Sequence, residues 1–240
     1  MVKVIEELVL IYSACIVFVD YWLRNCSKNV IRRFEGPSNR IALTFDDGPD
    51  ERYTGQLMDL LKKYNVKATF FVVAEKVEKN PQLIDRMKFD GHLVAMHSLK
   101  HKNEILSFPW ETYQEFKKTA RIFNENKLEI NYYRPPWGHF NLFNYYFAGK
   151  NNMKTVLWTV EAADWEKDKS PEEIFDTLIS KCKPGDIIVL HDSGGAKGAP
   201  QQTIEALKMF IPSCINSGIK FVTIEEGLVT GDAERNIELH

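Results

Sequence analysis

Seven short apolar runs, each closed by a turn and separated by helical patterns, constrain this chain more than any other feature. They are Arg40–Phe45, Lys67–Val73, His92–Met96, Asn131–Tyr133, Thr155–Val160, Asp186–Leu190 and Ile219–Thr223. Short runs rich in β-branched and aromatic residues read as buried strands. Between them lie helix patterns. Leu57, Leu60, Leu61 and Tyr64 recur at i, i+3, i+4, i+7 and predict a one-faced helix over Thr54–Tyr64. Pro81 opens a helix that Gly91 ends, and Trp110–Asn126, Leu142–Lys150 and Gln201–Ser217 complete the pattern, with Pro212 expected to kink the last. Ser170-Pro171-Glu172-Glu173 is a capping box with proline at the first helical position. Such alternation implies a mainly parallel sheet, either an open doubly wound sheet or a barrel. No G-x-G-x-x-G follows the first strand, so the dinucleotide-binding version of the open sheet has no support.

The first 39 residues stand apart. Leu8 to Val19 is apolar except for Ser13, and Asp20 precedes Tyr21-Trp22-Leu23. A spanning helix needs about 20 apolar residues, so residues 8–23 read either as a membrane anchor or as an amphipathic, packed helix. There is no basic n-region and no small-residue cleavage site, which argues against a secretory signal peptide. Arg24, Lys28, Arg32 and Arg33 lie on the C-terminal side and favour a cytoplasmic remainder if the segment spans. Residues 27–39 read as a polar linker, 40–226 as the main domain and 227–240 as a loose tail. The 31 basic and 33 acidic residues nearly cancel, so no basic face for nucleic acid is expected. Cys15, Cys26, Cys182 and Cys214 are scattered without a C-x-x-C pair and read as idle thiols.

The unusual polar residues collect just past the C-terminal ends of the strands, where parallel barrels and sheets build active sites. Asp46-Asp47 follow the first strand and His97 and His101 the third. Arg134 follows the fourth, Asp164-Trp165 the fifth and His191 the sixth. Alone, Asp46-Asp47-Gly48 is an ordinary solvated turn. Two histidines four apart on a helical turn could grip one ion, and with a carboxylate they leave positions open for water and substrate.

Five segments together are identified as those of the polysaccharide deacetylases, the NodB-homology or carbohydrate esterase family 4 enzymes. They are Thr44-Phe45-Asp46-Asp47-Gly48-Pro49, His97-Ser98-Leu99-Lys100-His101, Arg134-Pro135-Pro136-Trp137-Gly138, Asp164-Trp165 and Leu190-His191-Asp192. The resemblance spans residues 40–226 and implies a distorted (β/α) barrel with about seven parallel strands. It implies hydrolysis of N-acetyl groups on a GlcNAc-type glycan such as peptidoglycan, a chitin-like oligomer or an exopolysaccharide. Asp47, His97 and His101 would hold a divalent metal, zinc by default, though cobalt, nickel, manganese or iron could use similar ligands. Asp46 would be the general base, held by Arg134, and His191 the general acid, oriented by Asp164. Pro135 and the main-chain N–H of Trp137 would face substrate and oxyanion. Trp165 and Leu190 would wall the acetyl pocket.

Two departures stand out. Glu161 occupies a position where the family commonly has aspartate, and Trp137 one where tyrosine is common. Gly194-Gly195 reads as a plain flexible turn or as a substrate gate at the rim. His92 and His139 read as structural or exposed, and Asp50 and Asp192 as capping or supporting residues. Trp110, Tyr132, Tyr133, Tyr145 and Tyr146 are core aromatics by default, with sugar stacking the sharper reading. The competing functions are an idle glycan-binding module and a hydrolase of a non-sugar amide or ester on the same barrel. A cell-surface or membrane-associated location is expected, with the cytoplasm as the alternative; the oligomeric state is left open.

Overall fold

The structure, a computed structural model, describes residues 2–36 and 39–229. The tail from residue 230 lies outside the described residues. The centre of the sheet is β2 (Arg40–Asp46), in which every residue is buried. It pairs in parallel with β3 (Thr69–Val73) on one side and β8 (Ile187–His191) on the other. Beyond β3 lie β4 (Leu93–Ser98), β5 (Tyr132–Tyr133), β6 (Lys154–Val156) and β1 (Val30–Ile31); beyond β8 lies β7 (Val160–Glu161). A final strand, β9 (Lys220–Phe221), pairs with the start of β2. All ladders between these strands are parallel. Residues 157–159 carry the chain from one flank of the sheet to the other, so the curled sheet is the expected distorted (β/α) barrel.

Alternation along β2 divides the core. Ile41, Leu43 and Phe45 point outward into the main apolar cluster, where they meet the helices. Ala42 points inward with Phe71, Ala95, Val156 and Ile187. Thr44 and Asp46 share that inward register, which places polar groups inside the barrel near its C-terminal end. Strands covered on both faces read as continuous apolar runs. Each fully buried large side chain, such as Phe45 or Phe70, contributes about 1.5–3 kcal/mol through water exclusion.

The outer layer follows the sequence pattern closely. It comprises α2 (Thr54–Lys63), α4 (Pro81–Phe89), α5 (Pro109–Glu125), α6 (Leu142–Lys150), α7 (Pro171–Lys181) and α8 (Ala199–Asn216). Ser170 Oγ accepts the Glu173 N–H and the Glu173 carboxylate accepts the Ser170 N–H, completing the capping box of α7. One helix was not expected: α3 (Ala74–Lys79) starts directly from β3 without a capping side chain.

Of the two readings of the N-terminal segment, the packed helix is the one the structure shows. The segment forms α1 (Val2–Asn25), and no helix among the described residues is long and apolar enough to cross a membrane. Its last turns pack on the barrel instead. Asp20 and Leu23, one turn apart on the helix, and Ser27 just beyond its end are buried. Leu23 joins Val30, Phe140 and Leu157 in a small apolar cluster. Residues 27–39 are not merely a linker, because Val30–Ile31 pairs with β6. Two apolar residues among charges are too short a signal to mark a strand in sequence.

Candidate active site

Asp46 and His191 end neighbouring strands as direct register partners. Parallel strands lie about 4.8 Å apart, so both side chains leave the sheet together. Asp47 takes a left-handed backbone (φ 73°) before the cis Gly48–Pro49 bond. This reverses the chain just beyond the strand and turns Asp47 toward β4. His97 is the fifth residue of β4, not a residue beyond it, and His101 lies on a non-helical bend with φ 53°. The expected helical turn between the histidines is therefore absent. The bend is fixed by the His101 N–H, which donates to Ser98 Oγ at 2.7 Å.

Asp47, His97 and His101 converge, with one ligand atom from each lying within 4.8 Å of the others. His97 Nε2 is 3.3 Å and His101 Nε2 3.0 Å from Asp47 Oδ1. His97 Nδ1 donates to the Arg134 carbonyl at 2.8 Å, which fixes the tautomer and leaves Nε2 with a lone pair. Asp47 Oδ1 is buried and has no hydrogen-bond partner. Lone pairs facing one another at this range repel unless a cation lies among them. Ligands of a tetrahedral site with bonds of about 2.0–2.1 Å are separated by about 3.3 Å, so the donor set fits a divalent metal. Burial raises the Asp47 carboxyl, but imidazoles that are protonated and donate to it, His101 foremost, outweigh burial and hold the group well below the usual carboxylate range; with the lone pairs turned inward, a cation would take over that role.

Arg134 is wholly buried and ties the site to the barrel interior. Its Nη1 donates to Asp46 Oδ1 at 2.6 Å and to Thr44 Oγ1 at 2.8 Å, while Nη2 and Nε donate to the Leu157 and Val156 carbonyls. The guanidinium lies 4.0 Å from the Phe71 ring centroid. Charged groups survive burial only with such complete pairing.

His191 Nδ1 lies 2.9 Å from Asp164 Oδ1, and the other carboxylate oxygen accepts from the His191 N–H and Thr203 Oγ1, both at 2.8 Å. Burial by itself would lower the imidazole. Asp164, and more weakly Asp46 and Asp47, raise it to about 9. A cation beside Asp47 would oppose the share owed to the two aspartates.

The cleft around these groups has a volume of about 680 Å³. Trp137 and Trp165 line it as expected. Trp137 has φ 55°, with its ring 4.3 Å from that of His101. Two expected wall residues fall elsewhere. Leu190 is fully buried in the outer core, because alternation along β8 turns Val189 and His191 to the cleft. Pro135 is buried as the residue leading into the Pro136–Gly138 turn, and does not line the cleft. Gly194-Gly195 is not a loose turn. A Cβ on Gly194 would lie 2.6 Å from Asp47 Oδ2, and one on Gly195 would lie 2.9 Å from the Trp165 backbone.

Two contributors, Lys76 and Trp158, escaped sequence reasoning, and Asp192 takes the supporting place expected of it. Lys76, at the start of α3, donates to the Asp47 carbonyl at 2.7 Å and Ser193 Oγ at 2.8 Å. Trp158 lines the cleft and donates to Glu161 Oε2 at 2.9 Å, so the glutamate that departs from the family pattern serves the wall. The Asp192 carboxyl lies over Gly48, accepts from Thr54 Oγ1 and is pushed up by burial to about 7. His92 is structural, accepting the Ala68 N–H at 3.2 Å. His139 borders the cleft.

Three convergent donors that fit a divalent cation, beside a carboxylate and an imidazole with separate partners on the C-terminal rim of a parallel barrel, are the make-up of a hydrolase site. Residues 34–156 match the polysaccharide deacetylase family model. A peptidoglycan-N-acetylglucosamine deacetylase of Bacillus cereus is 35% identical over 80% of this chain and 70% of that one. The crystal structure of the Bc1960 peptidoglycan N-acetylglucosamine deacetylase superposes with a TM-score of 0.77 at 31% identity, covering 83% of this chain and 92% of that one. A family 4 acetyl xylan esterase from Clostridium thermocellum, solved with a cobalt ion, gives 0.70 at 32%, covering 78% and 89%. The chain belongs to the polysaccharide deacetylase family.

Proposed function

We propose that this chain hydrolyses the N-acetyl groups of a GlcNAc-containing cell-wall glycan and releases acetate, using a divalent metal, zinc by default, held by Asp47, His97 and His101. The observation that carries this reading is the pairing of Asp46 with His191 across β2 and β8, each backed by its own partner, beside the three convergent donors. The similarity to peptidoglycan deacetylases supports the substrate class.

The bound metal would supply a polarised carbonyl and a more acidic water. Asp46 takes the proton of the attacking water, with Arg134 aiming the carboxylate through Oδ1 and leaving Oδ2 free for the task. The Trp137 main-chain N–H meets the developing oxyanion, an interaction worth about 3–4 kcal/mol per donor. His191, charged by Asp164, gives its proton to the departing amine. Trp165, whose ring lies 5.2 Å from that of His191, shapes the acetyl pocket. Such a substrate would be met at the cell surface. The exposed Val17, Phe18, Tyr21 and Trp22 of α1 support an association with lipid there.

The test is acetate release from N-acetylated glucosamine oligomers, peptidoglycan and small non-sugar amides, with and without a chelator. Release from the glycans, lost with chelator and regained with zinc, is the expected result. Turnover of the small amides alone, or of nothing, would overturn the proposal.

A further inference from the structure

The last turns of α1 lie outside the segment matched by the family model, yet Arg24 lines the same cleft as His101 and Trp137. This placement is built rather than incidental. Arg32 donates to the Leu23 and Arg24 carbonyls in the last turn of the helix and to the Ser27 and Val30 carbonyls of the segment that follows it. Asp20 Oδ1 accepts the Phe140 N–H at 2.7 Å and Oδ2 lies 2.9 Å from His139 Nδ1.

Arg24 Nη1 also lies 3.1 Å from that same His139 nitrogen. One ring nitrogen cannot both donate to Asp20 and accept from Arg24. A carboxylate only accepts, so Nδ1 carries the proton and donates to Asp20. Arg24 is then left with Asp20 as its ion-pair neighbour, at 3.8 Å and so beyond hydrogen-bond length. Its side chain is 35% exposed, and both of its contacts, with Asp20 and His139, fall on Nη1, so Nη2 and Nε of the fork have no acceptor among the described residues. The acids that line the cleft are otherwise occupied. Asp46 is paired with Arg134, Asp47 faces the imidazoles, and Glu161 accepts from Trp158. A guanidinium so placed matches a planar anion with two oxygens.

We infer that α1 forms a wall of the cleft and presents Arg24 as the residue that selects glycans carrying a carboxylate beside the N-acetyl group to be removed. This rests on the deacetylase reading and adds to it a preference that a neutral GlcNAc polymer cannot satisfy.

The test uses the full chain, as wild type, Arg24→Ala and Arg24→Lys. The probes are two equal-length GlcNAc-containing oligomers, one with lactyl carboxylates on alternate sugars and one with those groups amidated. Wild type should favour the acid form. Arg24→Ala should lower the acid-to-amide ratio of kcat/KM about ten-fold, through KM, with Arg24→Lys retaining part of the preference. A ratio unchanged in Arg24→Ala, or a wild-type preference for the amide, overturns the inference. If wild type releases no acetate from either oligomer, the deacetylase reading fails. Equilibrium binding of the same pair then decides the subsite: an Arg24-dependent preference for the carboxylate upholds it, and equal affinities overturn it.

Discussion

Asp46 and His191 are register partners at the ends of two adjacent parallel strands, so a carboxylate and an imidazole leave the sheet side by side. Left alone they would pair with each other. Arg134 behind the first and Asp164 behind the second give each its own partner at 2.6 and 2.9 Å. Separate partners allow neighbouring groups to take opposite roles in proton transfer.

Asp164→Asn tests that division. Burial lowers the His191 imidazole, but Asp164, with Asp46 and Asp47, raises it above its ordinary 6.5 to about 9. Without the Asp164 charge, burial acts unopposed by its main counterweight and His191 should fall by about two units or more. The alkaline limb of the kcat/KM profile should move down accordingly. Stability follows the same linkage. A raised imidazole contributes fully below 6.5 and loses its contribution as pH rises toward 9. Wild type should therefore lose melting temperature across that window, and Asp164→Asn should lose less. An unmoved alkaline limb would remove His191 from the role of acid.

The adjacent aspartates should separate by assay. Asp46→Asn should keep divalent metal, measured by elemental analysis, and lose turnover by about 10²–10⁴-fold. Asp47→Asn should lose the metal as well, because it removes the charge from the three-donor set. Metal lost in the first variant and kept in the second would mean that the two roles are exchanged.

Gly194→Ala should act on the metal through Asp47. The position has φ 78°, and the added carbon would lie 2.6 Å from Asp47 Oδ2. A left-handed backbone costs a side chain about 1–2 kcal/mol, and displacing a ligand's support typically costs about 10–100-fold in metal affinity. Zinc titration should show the weaker affinity. Gly198→Ala is the control, since it shares a left-handed φ of 86° but has no atom within 4 Å of the added carbon. Equal affinities in the two variants would count against the loop as a support of Asp47.

The parts of the fold written in local pattern were legible. Arg40 to Phe45, bounded by Gly48-Pro49, could only be a buried strand, and Ser170 to Glu173 could only open a helix. Parallel-barrel geometry then carried Asp46, Asp47, His97, His101, Arg134 and His191 to one rim. Features set by distant partners were not legible. The apolar run Thr155–Val160 is one stretch in sequence, but its ends pair with different strands. Helix α3 carries no capping signal, so Lys76 came unannounced. Asp20 meets Phe140 across 120 positions, and nothing within the N-terminal segment marks that contact.

Glu104 offers a test of stability away from the chemistry. It lies on the loop that follows His101 and is buried against Glu115, with Asn144 Nδ2 at 3.4 Å and Tyr133 Oη at 3.5 Å. Burial, then Glu115, raises its carboxyl well above the ordinary 4.5. A raised carboxyl must be neutral to fit the folded protein, so its contribution is full below 4.5 and is lost as pH climbs above it. Glutamine keeps the shape and the hydrogen bonding without the charge. Glu104→Gln should therefore melt higher than wild type near pH 8 by about 2–4 °C per kcal/mol relieved, and the gap should close toward pH 4.5. The Asn141 Nδ2 donor to the Glu104 carbonyl is unaffected by the change, so the loop should keep its course. A variant destabilised equally at both pH values would mean that Glu104 is charged in the folded protein.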